Sequence, residues 1–129
     1  MALQKLSPIL WTKDLHETIL FYKGVMGFNA VSNYPNFVTL KKDSVEIMFI
    51  VPTEQTEACE NPKDNQDFFP KPLLTGSIFI TIDNADNLWE RVKNKATIKT
   101  PIEDRNYMMR DFSILDNNGY ELVFGHDIS

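Results

Sequence analysis

Cysteine is almost absent from this sequence. Cys59 stands alone among 129 residues, which rules out an internal disulfide and suits a reducing compartment. Histidine is nearly as scarce, with His16 and His126 only, so little imidazole is on hand for a metal centre. Five glycines are too few and too scattered for a phosphate-cradling loop. No apolar run approaches the roughly 20 residues of a membrane span. Residues 1–10 lack the apolar stretch and cleavage site of a signal peptide. The expectation is a cytoplasmic protein with no membrane contact. Basic charge is also in deficit, 13 Lys and Arg against 18 Asp and Glu, a net charge of -5. No stripe of Lys and Arg forms, so nucleic-acid binding lacks its electrostatic footprint. An acidic surface weakly attracts a cationic small molecule, and it serves solubility equally well.

What is present is a repeat. Ser7-Pro8-Ile9-Leu10-Trp11-Thr12-Lys13-Asp14-Leu15 reads as a strand entering a helix, and Ser77-Ile78-Phe79-Ile80-Thr81-Ile82-Asp83-Asn84-Ala85 reads the same way. Hydrophobic residues make up 43% of the chain and aromatics 12%, enough for one globular domain with a real core. In the first copy a strand is expected over 6–12. Asp14 with Glu17 forms an acidic capping box. Leu15, Ile19, Tyr22 and Met26 make one helical stripe, closed by Gly27. Strands follow over 29–34, 37–42 and 45–51. In the second copy Asp83 or Asn84 caps a helix with Ala85, Leu88, Trp89 and Val92 inward. Strands follow over 98–103, 108–115 and 120–125, the last hairpin turning at Asn117-Asn118-Gly119. The expected fold class is α+β, two βαβββ modules (4–51 and 76–126) in a single domain, 1–129. The Pro-rich linker 52–75 joins them, with Phe68 and Phe69 expected to pack on the body or at a subunit contact.

The ordered pattern Pro8-Ile9-Leu10, Asp14-Leu15, Phe21-Tyr22, Met26-Gly27-Phe28 resembles the start of vicinal oxygen chelate proteins. That superfamily includes glyoxalases, extradiol dioxygenases, fosfomycin-modifying enzymes and bleomycin-resistance proteins. Asp104-Arg105-Asn106-Tyr107, Arg110-Asp111-Phe112 and Asp116-Asn117-Asn118-Gly119-Tyr120-Glu121-Leu122 resemble its closing segment, closest to the bleomycin-resistance-like branch. The resemblance implies paired modules forming a curved sheet around a cavity, usually in a homodimer. It also implies that Ser7, Glu46, Ser77 and Val123 stand where the enzymes of the superfamily hold a metal. Of these only Glu46 is a metal ligand by chemistry, and a catalytic ion needs about three such side chains. Neither histidine rescues the site: His16 falls off the apolar stripe of its helix, and His126 is expected in a tail beyond the last strand. Cys59 lies among Glu57, Glu60 and Asn61, acidic company that weakens a thiolate.

No metal, no cofactor and no catalytic residue are therefore expected. Strand alternation puts Ser7, Ile9, Trp11, Glu46, Met48, Ile50, Ser77, Phe79, Thr81, Glu121, Val123 and Gly125 on the cavity side. Leu10, Ile47, Phe49, Ile78, Ile80, Leu122 and Phe124 then face the helices. The candidate ligand-binding residues are Trp11, Glu46, Met48, Phe79, Tyr107 and Arg110. Trp11 either stacks on a planar ligand or fills a collapsed cavity. Glu46 meets a cationic ligand group or is paired by Arg110. Tyr107 and Arg110 bond a ligand or brace their loop, and Met108-Met109 suit a cavity mouth or a dimer seam. Three functions stay open: a metal-free receptor sequestering a bulky aromatic or cationic small molecule, a metal-dependent lyase, transferase or dioxygenase, and a structural or regulatory subunit with a filled cavity.

Overall fold

A computed structural model describes residues 1–52 and 74–129; the linker with Cys59, Phe68 and Phe69 falls outside the described residues. The chain divides into two compact units, each carrying one βαβββ module. Module one comprises β1 (Ile9–Trp11), α1 (Leu15–Phe21), β2 (Asn29–Tyr34), β3 (Phe37–Lys42) and β4 (Val45–Ile50). Its sheet runs β1-β4-β3-β2, with β1 parallel to β4 and the rest antiparallel. Module two comprises β5 (Ile78–Thr81), α2 (Ala85–Val92), β6 (Thr97–Asp104), β7 (Met109–Leu115) and β8 (Glu121–Asp127). Its order, β5-β8-β7-β6 with β5 parallel to β8, repeats that of module one.

Both helices start as the side chains dictate. The Asp14 carboxylate accepts from the Glu17 amide at 3.1 Å, and the Asn84 side chain accepts from the Asn87 amide at 3.1 Å. Each satisfies an amide that the helix itself leaves without a partner. Behind the first cap, Thr12 and Thr18 are both buried and share a hydroxyl contact of 3.0 Å. Beyond α1 the chain continues as one wider π-type turn, Tyr22–Met26, and ends at Gly27 with φ 82°, the left-handed cap that glycine supplies without strain.

The apolar parity expected of the strands is observed except at Ile78, which is only half-buried. Leu10, Ile47 and Phe49 are buried in module one, as are Ile80, Leu122 and Phe124 in module two. Tyr22 meets Phe28 and Phe49 edge-on at ring-centroid distances of 5.5 and 5.3 Å. In module two Trp89 meets Phe112 at 5.3 Å, and Phe112 stacks on Phe124 at 5.6 Å. Edge-to-face and offset contacts of this kind add to the area buried.

Two strands, β1 and β8, depart most from the expected bounds. β1 has three residues because its flanks are held by single bonds, Met48 N–H to the Pro8 carbonyl and Thr12 N–H to the Ile50 carbonyl. β8 runs on to Asp127, since β7 pairs with it as far as Met109 opposite Asp127. His126 is thus a strand residue and not part of a tail, and its Nδ1 accepts from the Ala85 amide at 2.8 Å. The imidazole serves the open end of α2, a role periodicity does not reveal. The final turn has an organiser that was also missed: Asp116 Oδ1 accepts from the amides of Asn118 and Tyr120 at 2.8 and 2.9 Å.

Candidate functional site

In module one Ile9 pairs with Met48 and Trp11 with Ile50, so Ser7 comes opposite Glu46 as that ladder continues. The Ser7 hydroxyl donates to Glu46 Oε2 at 2.8 Å, and the Lys5 ammonium lies 3.1 Å from the same oxygen. The hydroxyl first and the ammonium next hold the Glu46 carboxyl below its usual range. The acid is half-buried and its partners are local. Arg110, the partner entertained for it, is engaged elsewhere. Alongside, Ile9 and Trp11 are 55% and 44% exposed, so this face offers apolar surface beside one compensated carboxylate.

Module two repeats the arrangement in a revealing register. Phe79 pairs with Val123 and Ile78 with Leu122, which carries Ser77 opposite Glu121. Glu121 is therefore the strand-for-strand counterpart of Glu46, and Val123 the counterpart of Met48. Lys99 lies 3.5 Å from Glu121. Each module thus sets a serine across from a glutamate in its parallel strand pair, with the lysine coming from ahead of β1 in module one and from β6 in module two. Glu121 is the residue sequence reasoning passed over. Glu46-Ile47-Met48-Phe49 and Glu121-Leu122-Val123-Phe124 share a Glu-x-x-Phe spacing that carries the signal.

Farther along the same face of module two, Asp111 is 3% exposed. Its Oδ1 accepts from Arg105 Nε at 2.8 Å and its Oδ2 from the Tyr107 hydroxyl at 2.5 Å. Arg105 also donates to Glu103 and to the carbonyls of Pro101 and Asp111, closing the β6–β7 turn, where Met108 takes φ 64°. Donation to the Asp111 carboxylate, followed by burial, pushes the Tyr107 phenol up. The same carboxylate raises the Arg105 guanidinium. Beside them Phe79 stands 47% exposed. Two residues on, the buried Ser113 hydroxyl has no hydrogen-bond partner among the described residues.

Arg110 stands on the opposite face from Phe79, because it alternates with Asp111 along β7. Its guanidinium binds both Asp86 oxygens on α2 (2.9–3.1 Å) and Asp104 on β6 at 3.0 Å. It braces helix and sheet and leaves the candidate ligand set. These bonds hold the Asp86 carboxyl below the usual range, which fixes a sign. A carboxyl lowered on folding stabilises above its unfolded pKa, and that contribution disappears as pH falls through the folded value. Asp86→Asn is expected to narrow the difference in melting temperature between pH 7 and pH 3, read by circular dichroism.

The described residues do not by themselves assemble a ligand set for a catalytic metal. Among the described residues no three His, Cys, Asp or Glu side chains come together. The two glutamates at the expected depth already face ammonium groups, and serine hydroxyls are poor ligands for such an ion. Nor, among those residues, is any helix long and apolar enough to cross a membrane.

The paired βαβββ modules are the architecture of a known superfamily, and the sequence agrees. The chain belongs to the Glyoxalase/Bleomycin resistance protein/Dioxygenase superfamily, whose family model matches residues 5–124. Solved structures share the fold. A glyoxalase/bleomycin resistance protein/dioxygenase from Alicyclobacillus acidocaldarius is 16% identical with a TM-score of 0.72, over 98% of this chain and 92% of that one. A bleomycin resistance determinant encoded on the transposon Tn5 is 15% identical with a TM-score of 0.71, over 97% and 98%. A lactoylglutathione lyase from Agrobacterium tumefaciens is 18% identical with a TM-score of 0.67, over 95% and 92%. Among curated proteins none matches by sequence.

Proposed function

We propose that this protein is a small-molecule receptor that holds a bulky, aromatic or cationic ligand without a metal ion and leaves it chemically unchanged. The observation that carries the reading is the Lys5–Glu46–Ser7 contact. At a position where the superfamily's enzymes place a metal ligand, the carboxylate is already neutralised from within its own module. Trp11 in module one and Phe79 in module two are each partly exposed on a strand face, and each supplies flat apolar surface of the kind an aromatic ligand stacks on. Glu46 and Met48 beside Trp11 in module one, and Tyr107 beside Phe79 in module two, are the other candidate contacts. The bleomycin resistance determinant with the same fold gives a precedent by name only, since function resides in the site rather than the fold. The receptor is taken to be a cytoplasmic homodimer, a state that sedimentation equilibrium measures directly.

The test has two arms on purified protein. Elemental analysis is expected to find no stoichiometric transition metal; an ion bound one per chain would restore the enzymatic alternative. In the second arm, planar aromatic cations are titrated against intrinsic tryptophan fluorescence, and the recovered compound is checked for change by mass spectrometry. Trp11→Ala is expected to weaken binding about tenfold, the scale of one lost stacking contact. An unchanged affinity would remove Trp11 from the site.

A further inference from the structure

The Tyr107 hydroxyl has one proton, and it is committed. It lies 2.5 Å from Asp111 Oδ2, and Asp111, the acceptor, is almost wholly buried, with Arg105 on its other oxygen. A phenol whose proton points at a carboxylate offers only lone pairs to anything else. Polarisation by that carboxylate makes the oxygen a stronger acceptor than a free phenol. The Tyr107 side chain is nevertheless 59% exposed, so its outer side faces solvent while its proton is held within.

The neighbouring surface is shaped for a flat group. A Cβ at Gly125 would lie 2.8 Å from Phe79 Cζ, 2.9 Å from Asp111 Cβ and 3.3 Å from Met109 Cε. The Phe79 ring tip therefore fills the gap above Gly125 and rests next to Asp111. The carboxylate that orients Tyr107 also borders the bed of Phe79. One buried acid thus connects an aromatic face and a proton-accepting oxygen on the same side of module two.

We propose that Phe79 and Tyr107 form a recognition patch that selects ligands bearing an N–H donor on a planar aromatic frame, an aryl amine or aromatic cation, and disfavours aromatic carboxylates. This rests on the receptor reading above and adds to it the polarity of the ligand and the residue that reads it. Asp111 is the positioning residue: it fixes the hydroxyl's direction and does not itself meet the ligand. An aromatic carboxylate would bring lone pairs against the lone pairs of Tyr107, with no proton left between them.

Two dyes of similar size separate the outcomes. Proflavine is a planar cation with two amino groups, and 9-anthroate is a planar anion that only accepts. Fluorescence titration at an ionic strength that screens the net charge is expected to show proflavine binding at least tenfold tighter than 9-anthroate. Tyr107→Phe, with its far-UV circular dichroism unchanged, is expected to cut proflavine affinity about tenfold and leave 9-anthroate affinity as it was. Equal affinity for the two dyes, or a Tyr107→Phe variant that retains full proflavine affinity, overturns the inference. If the anion binds as tightly as the cation, the receptor reading survives and only the donor preference is lost. If neither dye binds, both fall.

Discussion

Asp111→Ala is expected to destabilise module two by about 2–3 kcal/mol, the scale for removing one partner of a buried ion pair, lowered because Arg105 is not fully enclosed. The carboxylate is the acceptor for Arg105 Nε and for the Tyr107 hydroxyl, and it sits on β7 between β6 and β8. Its loss frees the guanidinium, which keeps Glu103 and two carbonyls as partners. The phenol loses the group that fixed its proton. Urea unfolding would register the stability loss as a shifted midpoint at constant slope. Asp111→Asn keeps the volume and an acceptor oxygen but removes the charge, so it is expected to fall between wild type and alanine. If alanine and asparagine both unfold at the wild-type midpoint, Asp111 is not the keystone of this turn.

The elements themselves were largely legible in the sequence because short-range chemistry sets them. Asp14 and Asn84 cap because their side chains reach amides three residues on, a relation fixed within a single turn. The strands over 29–34 and 37–42 follow from alternation and from the Pro35-Asn36 break, and they match β2 and β3 residue for residue. The helix-facing set was readable for the same reason, since a parity once chosen extends the length of a strand. What stayed hidden depends on register between strands distant in sequence. Whether Glu121 or Val123 stands opposite Ser77 is a two-residue question, and parity cannot answer it, because both residues point to the same side.

Charge partners were the other blind spot. Arg110 sits in a segment rich in acids, and nothing local distinguishes a partner on α2 from one across the sheet. Its bond to Asp86 spans 24 positions. The role of Asp111 stayed hidden as well: a buried acid requires a cation nearby, and sequence position does not say which one. Its sequence neighbour Arg110 is the nearest cation, yet the one that pairs with it is Arg105, across the turn. His126 was misplaced for a simpler reason. Gly125 looks like the end of a strand, yet this glycine is there for space and not for a turn.

Gly125→Val is expected to be the most damaging single substitution on the open face of module two, costing about 3 kcal/mol, toward the upper end for overpacking. Even the first added carbon meets Phe79 Cζ at 2.8 Å and Asp111 Cβ at 2.9 Å. The phenyl ring can swing away, since Phe79 is half exposed, but Asp111 Cβ belongs to the neighbouring strand and is tied through its carboxylate to Arg105. Gly125 pairs with Thr81 on one side and Asp111 on the other, so β8 cannot shift without breaking a ladder. A β-branched residue adds two methyl groups into that gap. The variant is expected to melt well below wild type and to lose the proflavine preference, because displacing either Phe79 or Asp111 disperses the patch. The double variant Gly125→Ala with Phe79→Ala discriminates cause: removing the ring relieves one of the two short contacts, so it is expected to be more stable than the sum of its single substitutions predicts. Strict additivity would mean that Phe79 does not occupy the space above Gly125, and the recognition patch would lose its floor.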